Sequence, residues 1–133
     1  MKAYVFPGQG SQFSGMGKDL YDRYKVAKIL FKSANEILGF DITKIIFEGS
    51  REDLQQTRVT QPAIYIHSVI MSKVMGDKFR PDALAGHSLG EYSALCAAGA
   101  LDLSATAKLL RTRGEAMQKA VPIGIGAMAA ILG

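Results

Sequence analysis

The segment from Ala83 to Ala98 constrains the fold more than any other part of the chain. Its first four residues, Ala83-Leu84-Ala85-Gly86, form an apolar run typical of a strand that is buried on both faces. The pentapeptide Gly86-His87-Ser88-Leu89-Gly90 follows at once, and residues 89–98 read as a helix that Gly99 ends. The order strand, Gly-x-Ser-x-Gly, helix predicts an α/β protein with a parallel sheet and a sharp strand-to-helix turn.

Ser88 lies at the centre of that turn, where its hydroxyl would stand clear of the sheet. Side chains two positions before and after a residue in so tight a turn would collide, which accounts for Gly86 and Gly90. The N–H of Leu89, at the start of the helix, can donate to an oxyanion, and the helix dipole favours negative charge there. Gly-x-Ser-x-Gly also occurs by chance in structural turns. With its flanking elements, we interpret Ser88 as a nucleophile for acyl transfer.

A serine nucleophile needs a general base, and the chain has only two histidines. His87 is adjacent to Ser88, and since successive strand residues point to opposite faces, we expect it not to reach the hydroxyl. His67 shares an apolar helical stripe with Ala63, Ile70 and Val74, which favours a core histidine over a catalytic one. The base is therefore expected outside this chain.

Arg113 is the second informative residue, because helical spacing places it on an apolar stripe with Leu110, Met117 and Val121. Arg111, by contrast, shares a face with Lys108 and Glu115. A guanidinium that faces inward needs a carboxylate, which either an internal Asp or Glu or a substrate can supply. Whether the helix of Arg113 passes near Ser88 decides between these alternatives.

The N-terminus predicts a strand over Lys2 to Phe6 and then the loop Pro7-Gly8-Gln9-Gly10-Ser11-Gln12. The loop is not a phosphate-binding loop, because Phe13 stands where the third glycine would fall. Its exposed backbone N–H groups would lie near the C-terminal edge of the sheet. These N–H groups are candidates for the second hydrogen-bond donor to an oxyanion.

The remaining pattern is helical. Pro62 predicts the first turn of a helix whose apolar run extends from Ala63 to Met75 and ends at Gly76. The sequence also predicts a helix from Val26 to Leu38 that ends at Gly39, and another from Asp102 to about Ala120. Asp41 and Ser50 are predicted to be helix N-caps.

The composition, 48% hydrophobic and 21% charged over 133 residues, is that of one folded domain. The single cysteine, Cys96, reads as a buried residue in a reducing compartment. Without a signal-peptide core or a run of ~20 apolar residues, we expect a cytoplasmic protein that does not bind membranes. The net charge of +4 is spread along the chain, which argues against nucleic acid and suits a phosphate-bearing ligand or an acidic protein. No metal is expected.

Five motifs in order resemble those of the malonyl-CoA:acyl carrier protein transacylase family, and they cover nearly the whole chain. They are Pro7-Gly8-Gln9-Gly10-Ser11-Gln12, Thr60-Gln61-Pro62-Ala63, Gly86-His87-Ser88-Leu89-Gly90-Glu91, Arg113-Gly114 and Gly126-Ala127-Met128-Ala129-Ala130. The resemblance implies an α/β-hydrolase-like core with a nucleophile elbow, of which residues 1–123 are the N-terminal part. It also implies that residues 124–133 begin a truncated, ferredoxin-like small subdomain with its first strand.

The resemblance further implies malonyl transfer in fatty acid biosynthesis, from malonyl-CoA to the phosphopantetheine thiol of acyl carrier protein through a malonyl-serine at Ser88. Backbone N–H groups of Gln9 and Leu89 would hold the oxyanion, Arg113 would pair with the malonyl carboxylate, and Gln61 would line the site. That favours the substrate as the partner of Arg113. No cofactor of the enzyme's own is implied, because CoA belongs to the substrate and phosphopantetheine to the partner protein.

The departure from the family is the C-terminal half, which carries the catalytic histidine. The chain finishes on the apolar segment 126–133, and an unpaired apolar strand is an aggregation hazard, so we expect an N-terminal part of a longer protein with little or no turnover by itself. A serine esterase is disfavoured because Arg113 would serve no neutral ester. The alternatives kept are an acyltransferase domain of a polyketide synthase and a non-catalytic fragment that binds CoA or carrier protein.

Overall fold

Seven helices and two short strands make up the part of the chain that the computed structural model describes, residues 1–121, 124–126 and 131. A single 3-10 turn, Gly76–Lys78, joins the longest helix to the second strand. The elements in chain order are β1 Ala3–Phe6, α1 Lys18–Arg23, α2 Lys25–Leu38, α3 Ile42–Glu48, α4 Arg51–Gln55, α5 Thr57–Met75, β2 Ala83–Gly86, α6 Leu89–Ala97 and α7 Leu103–Ala120.

The strands β1 and β2 pair in parallel, so the predicted α/β class with a parallel sheet is confirmed. Ala3 lies opposite Ala83 at one end, and Phe6 lies opposite Gly86 at the other. Because both strands run in the same direction, the loops that follow them leave from the same edge of the sheet. The Pro7–Gln12 loop and the Ser88 turn are therefore neighbours.

The prediction that Ala83–Gly86 is buried on both faces is wrong within the described residues. Ala83 and Ala85 are exposed, and on β1 the side chain of Val5 is 72% exposed. The helix α6 packs against both strands, and the alternating positions outside that packing stay open. An apolar sequence allows a strand to lie in the core. Whether its side chains are buried depends on the elements that pack against the strand.

Most predicted helix signals are confirmed. The helix α2 ends before Gly39, and Asp41 caps α3 by accepting from the N–H of Lys44 at 3.0 Å. Ser50 and Asp53 form a reciprocal capping box at the start of α4. The carboxylate of Asp102 likewise accepts from the first turn of α7, at 2.8 Å. The short helix α1 was not predicted.

The start of α5 differs from the prediction. The helix begins at Thr57, so Pro62 lies inside it and not in its first turn. Proline cannot donate to the preceding turn, a cost that favourable packing must outweigh. The α5 residues from Val59 to Ile66 are all buried, and α7 packs along the helix. Tertiary packing thus extends α5 by more than a turn, and this extension places Gln61 on a helix.

The core lies between α5 and the helices around it, α2, α6 and α7. Phe31 is fully buried and packs edge-on against Phe47, with ring centroids 5.3 Å apart. Cys96 is buried, as predicted. The predicted strand at 126–133 falls largely outside the described residues, as does the proposed boundary between 123 and 124. Within the described chain, no helix has the length and hydropathy to span a membrane.

Candidate active site

Ser88 joins the end of β2 to the start of α6 in a strained backbone conformation. Its φ of 54° and ψ of −111° make it the one non-glycine residue with positive φ in the described part of the chain. Such a conformation costs free energy that surrounding structure must supply, and it is concentrated at functional sites. The half-buried Ser88 stands at the N-cap of α6, as the nucleophile-elbow pattern predicts.

Close packing around the turn explains both of its glycines. A Cβ added to Gly86 would overlap the backbone of Gly90, and one added to Gly90 would overlap the carbonyl oxygen of Phe6. The N–H of His87 donates to that same Phe6 carbonyl at 3.1 Å. The turn is thus pressed against the end of β1 by backbone contacts that leave no room for side chains.

Arg113 reaches Ser88 from α7. Its Nη2 atom donates to the Oγ of Ser88 at 3.3 Å, and its guanidinium carbon lies 5.6 Å from the ring centroid of Tyr92. None of the ion pairs formed among the described residues includes Arg113, whereas Arg111 pairs with Glu115 at 3.0 Å. The helix of Arg113 therefore does pass near Ser88. An internal carboxylate partner is not found in this part of the chain.

Gly114 allows α7 to come this close. A Cβ at Gly114 would lie 2.8 Å from the carbonyl oxygen of Thr57 and 2.9 Å from the Cα of Arg58, both in the first turn of α5. Two helices can approach so closely only where a residue has no side chain. Gly114 thus sets the distance between α7 and α5, and the adjacent Arg113 side chain extends to Ser88.

Gln61 connects Arg113 to the loop after β1. Its side chain is fully buried, with its Oε1 accepting from Nη1 of Arg113 and its Nε2 donating to Oε1 of Gln9 at 3.0 Å. The Nε2 of Gln9 continues the chain to the hydroxyl of Thr57 at 3.4 Å. Hydrogen bonds therefore join Thr57, Gln9, Gln61, Arg113 and Ser88 in one series, named here the amide relay.

Two further residues at the site escaped sequence reasoning. Tyr92 follows Ser88 by four positions, so helical spacing alone would have placed it near that serine. No sequence signal pointed to Thr57, because the sequence pattern predicted that the helix begins after this residue. Its position depends on the packing of α5 against α7.

The predicted oxyanion donors lie where the elbow meets the β1 loop. Leu89 buries its side chain in the core, and its N–H opens α6. The loop of Gln9 is closed on itself, because the hydroxyl of Ser11 donates to the Gly8 carbonyl at 2.8 Å. Among the described residues, the backbone N–H groups of Gln9 and Leu89 donate to no protein acceptor.

Neither histidine hydrogen-bonds to the Ser88 hydroxyl within the described residues. The exposed His87 places its Nδ1 beside Gly8. His67 lines an apolar groove beside β1 with Phe6 and Met71, and burial lowers the pKa of His67, partly offset by the charge of Asp19. A neutral core histidine is thus the interpretation that its surroundings favour. Across the described ranges, no group of three or more His, Cys, Asp and Glu is arranged to hold a metal.

Comparison with known proteins agrees with this geometry. The chain matches the family model of the acyl transferase domain over residues 3–132. It is 52% identical over 98% of its length to a malonyl CoA-acyl carrier protein transacylase from Bacillus subtilis, of which it covers 42%. The chain therefore spans about two fifths of the length of the curated relatives it matches.

Solved structures give the same result. A crystal structure of an acyl carrier protein S-malonyltransferase from Vibrio cholerae is 49% identical, with a TM-score of 0.85 over 92% of this chain and 40% of that one. A malonyl-transacylase in complex with its type II PKS acyl-carrier protein is 44% identical, with a TM-score of 0.84 over 90% of this chain and 40% of that one. The range matched by the family model includes the positions of all the site residues described above, and the chain belongs to the acyl transferase domain family, with malonyl CoA-acyl carrier protein transacylases among its relatives.

Proposed function

We propose that the protein to which these residues belong transfers a malonyl group from malonyl-CoA to the phosphopantetheine thiol of acyl carrier protein. The observation that carries the proposal is the hydrogen bond of 3.3 Å between Arg113 Nη2 and Ser88 Oγ. In a malonyl thioester one methylene separates the carbonyl carbon that is attacked from the free carboxylate. A guanidinium in contact with the nucleophile is therefore placed for that carboxylate, and it offers planar bidentate recognition.

The chemistry is a double displacement at Ser88. The Ser88 oxygen attacks the thioester carbonyl while its proton passes to a general base, and the carbonyl oxygen becomes an oxyanion. The N–H groups of Gln9 and Leu89 stabilise that oxyanion, with help from the N-terminal dipole of α6. Collapse breaks the C–S bond, CoA leaves as the thiol with the proton from the base, and a malonyl ester remains on Ser88. The carrier-protein thiol then attacks this ester in the same way.

The base and the rest of the site are proposed to come from residues after 133. Neither His67 nor His87 hydrogen-bonds to Ser88. We further propose that residues 1–123 belong to an α/β-hydrolase-like core and that residues 124–133 begin a ferredoxin-like small subdomain, as the family resemblance implies. The cytoplasmic location stays a prediction from the sequence. The product of the complete native reading frame is called the full-length protein below.

Covalent capture tests the proposal. The full-length protein and its Ser88→Ala variant are each incubated with malonyl-CoA, and their intact masses are measured by mass spectrometry. We expect a mass gain of one malonyl group on the wild type only, and loss of that group when acyl carrier protein is added in its phosphopantetheinylated form. No adduct on either protein would favour a non-catalytic role in binding CoA or carrier protein. Release of malonate to water without a carrier protein would indicate an esterase.

Replacing the arginine tests the clamp. Arg113→Ala is expected to lower the rate of acylation by malonyl-CoA while sparing acetyl-CoA, because only malonyl presents a carboxylate. Unchanged selectivity would refute the clamp without refuting Ser88 as the nucleophile. The residues 1–133 by themselves are expected to show little or no turnover. Robust transfer by that polypeptide would mean that the base lies within it.

A second candidate differs in pathway and not in chemistry. The relative solved with a type II polyketide carrier protein makes polyketide synthesis an alternative to fatty acid synthesis. Transfer rates to carrier proteins from the two pathways, measured in the same assay with the full-length protein, distinguish them. The carrier with the higher kcat/KM identifies the pathway.

A further inference from the structure

The amide of Gln61 is buried at the centre of the amide relay. None of its side chain is exposed to solvent. Both ends of the amide are used, because Oε1 accepts from Arg113 Nη1 and Nε2 donates to Gln9 Oε1 at 3.0 Å. A buried polar group is costly unless it is hydrogen-bonded, so this pairing holds the amide in one place.

The chemistry of the partners also sets the direction of the amide. A guanidinium has only donors, and it therefore needs the carbonyl end of Gln61. The opposite orientation would bring the NH2 group of Gln61 against the N–H groups of Arg113. Gln9 then receives the NH2 end, and its own NH2 points towards Thr57, 3.4 Å away. From Arg113, each side chain therefore donates to the next through Gln61 and Gln9 to Thr57.

This arrangement decides which part of Arg113 is presented to a ligand. Arginine is a long, flexible side chain that by itself populates many rotamers. With Nη1 held by Gln61 and the guanidinium over the ring of Tyr92, the Nη2 side is directed to Ser88. The same amide also ties down the side chain of Gln9, whose backbone N–H is the proposed oxyanion donor. Among the described residues Gln61 bonds to the side chain of Gln9 and not to this backbone N–H, so its contact with Arg113 is the one through which it acts on the substrate site.

We propose that Gln61 is a positioning residue that holds Arg113 ready for the carboxylate of the acyl donor, and that its neutrality is essential. The proposal rests on the proposed function of Ser88 and Arg113. A carboxylate in place of the amide would pair with Arg113 internally, and it would also repel the carboxylate of malonyl. Gln61 supplies a neutral acceptor of the right length, so the guanidinium keeps its full charge for the substrate.

Two substitutions in the full-length protein test this proposal. Gln61→Met keeps the length of the side chain and removes both hydrogen bonds, and Gln61→Glu keeps the shape and adds a charge. Ser72→Ala is the matched control, since Ser72 is a buried residue of the same helix whose hydroxyl bonds within the helix, to the Val69 carbonyl at 2.7 Å. Single-turnover acylation is measured with malonyl-CoA and, separately, with acetyl-CoA.

We expect Gln61→Met to lower the second-order rate constant for malonyl-CoA by about 10- to 100-fold, the usual effect of one hydrogen bond to a charged group. Gln61→Glu should lower it at least as much. The rate with acetyl-CoA should change by no more than about threefold in both variants, because acetyl makes no use of Arg113. Urea unfolding of each variant identifies one that has misfolded, so the acylation rates are compared between folded proteins only.

A double-mutant cycle supplies the second measurement. If Gln61 acts through Arg113, adding Gln61→Met to Arg113→Ala should cost less than about threefold in malonyl acylation. Equal losses with malonyl and acetyl, or an undiminished loss in the Arg113→Ala background, would overturn the positioning role and leave the proposed function intact. A wild-type protein that forms no malonyl adduct would overturn the proposed function, and this proposal with it.

Discussion

Gly114→Ala tests whether the close approach of α7 to α5 sets the geometry of the site. The added Cβ would lie 2.8 Å from the Thr57 carbonyl oxygen and 2.9 Å from the Arg58 Cα, while ordinary contacts begin at 3.4 Å. The helices must therefore separate by roughly half an ångström, a strain that typically costs about 1–3 kcal/mol. The greater helix propensity of alanine offsets about 1 kcal/mol. We expect a net loss of about 0–2 kcal/mol in the free energy of unfolding.

The effect on acylation should exceed the effect on stability. Arg113 precedes Gly114, so the displacement is passed directly to the guanidinium, whose contact with Ser88 is already 3.3 Å long. Because misplacing a positioning group by about 1 Å can cost 10²-fold, we expect malonyl acylation to fall by about 10- to 100-fold.

The assay combines urea unfolding with rapid-quench acylation of the full-length protein by malonyl-CoA. Thr112→Ala is the control, since Thr112 is an exposed neighbour on the same helix. Its acylation rate should match the wild type. A Gly114→Ala protein that is about 1 kcal/mol more stable and acylates at the wild-type rate would refute the reasoning, because only helix propensity would then be at work.

The remaining predictions concern stability and are measured by urea unfolding of the full-length protein. Phe31→Ala should lower the free energy of unfolding by about 3–5 kcal/mol because Phe31 is fully buried, whereas Phe13→Ala at a 61% exposed position should change it by no more than about 0.5 kcal/mol; similar losses would contradict the assigned core. Asp102→Ala should cost about 1 kcal/mol through the lost cap of α7, and Asp102→Asn should restore most of it. Burial lowers the pKa of His67 from its ordinary value of 6.5, so below that pH the unfolded chain binds a proton that the folded chain does not. The wild type should therefore lose stability as the pH falls from 7 to 5 more steeply than His67→Leu; parallel curves would show that His67 does not titrate differently on folding.

The sequence predicted the elbow because its determinants are local. A strand, a Gly-x-Ser-x-Gly turn and a helix follow one another along the chain, and the glycines are required by contacts within that segment or with the adjoining end of β1. The helix caps at Asp41, Ser50 and Asp102 were predicted for the same reason, since each side chain bonds to a backbone group three residues away.

The start of α5 and the burial of β2 were predicted wrongly because they depend on other parts of the chain. Pro62 is a local signal for the first turn of a helix, yet packing against α7 extends α5 back to Thr57. An apolar strand sequence likewise predicts burial that the described neighbours of β2 do not provide. Local propensity is a weak preference, and tertiary contacts are able to override it.

The sequence by itself thus predicted the elbow at Ser88 and the helix face that carries Arg113, although Val121, at the end of that face, is exposed. Only the tertiary structure decided what Arg113 faces, because the sequence allowed either an internal carboxylate or a substrate. Arg113 and Ser88 are 25 positions apart, and Arg113 and Gln61 are 52 apart. Contacts over such separations depend on how the helices pack, and here the bare backbone of Gly114 against Thr57 brings α7 close enough to α5 to form them.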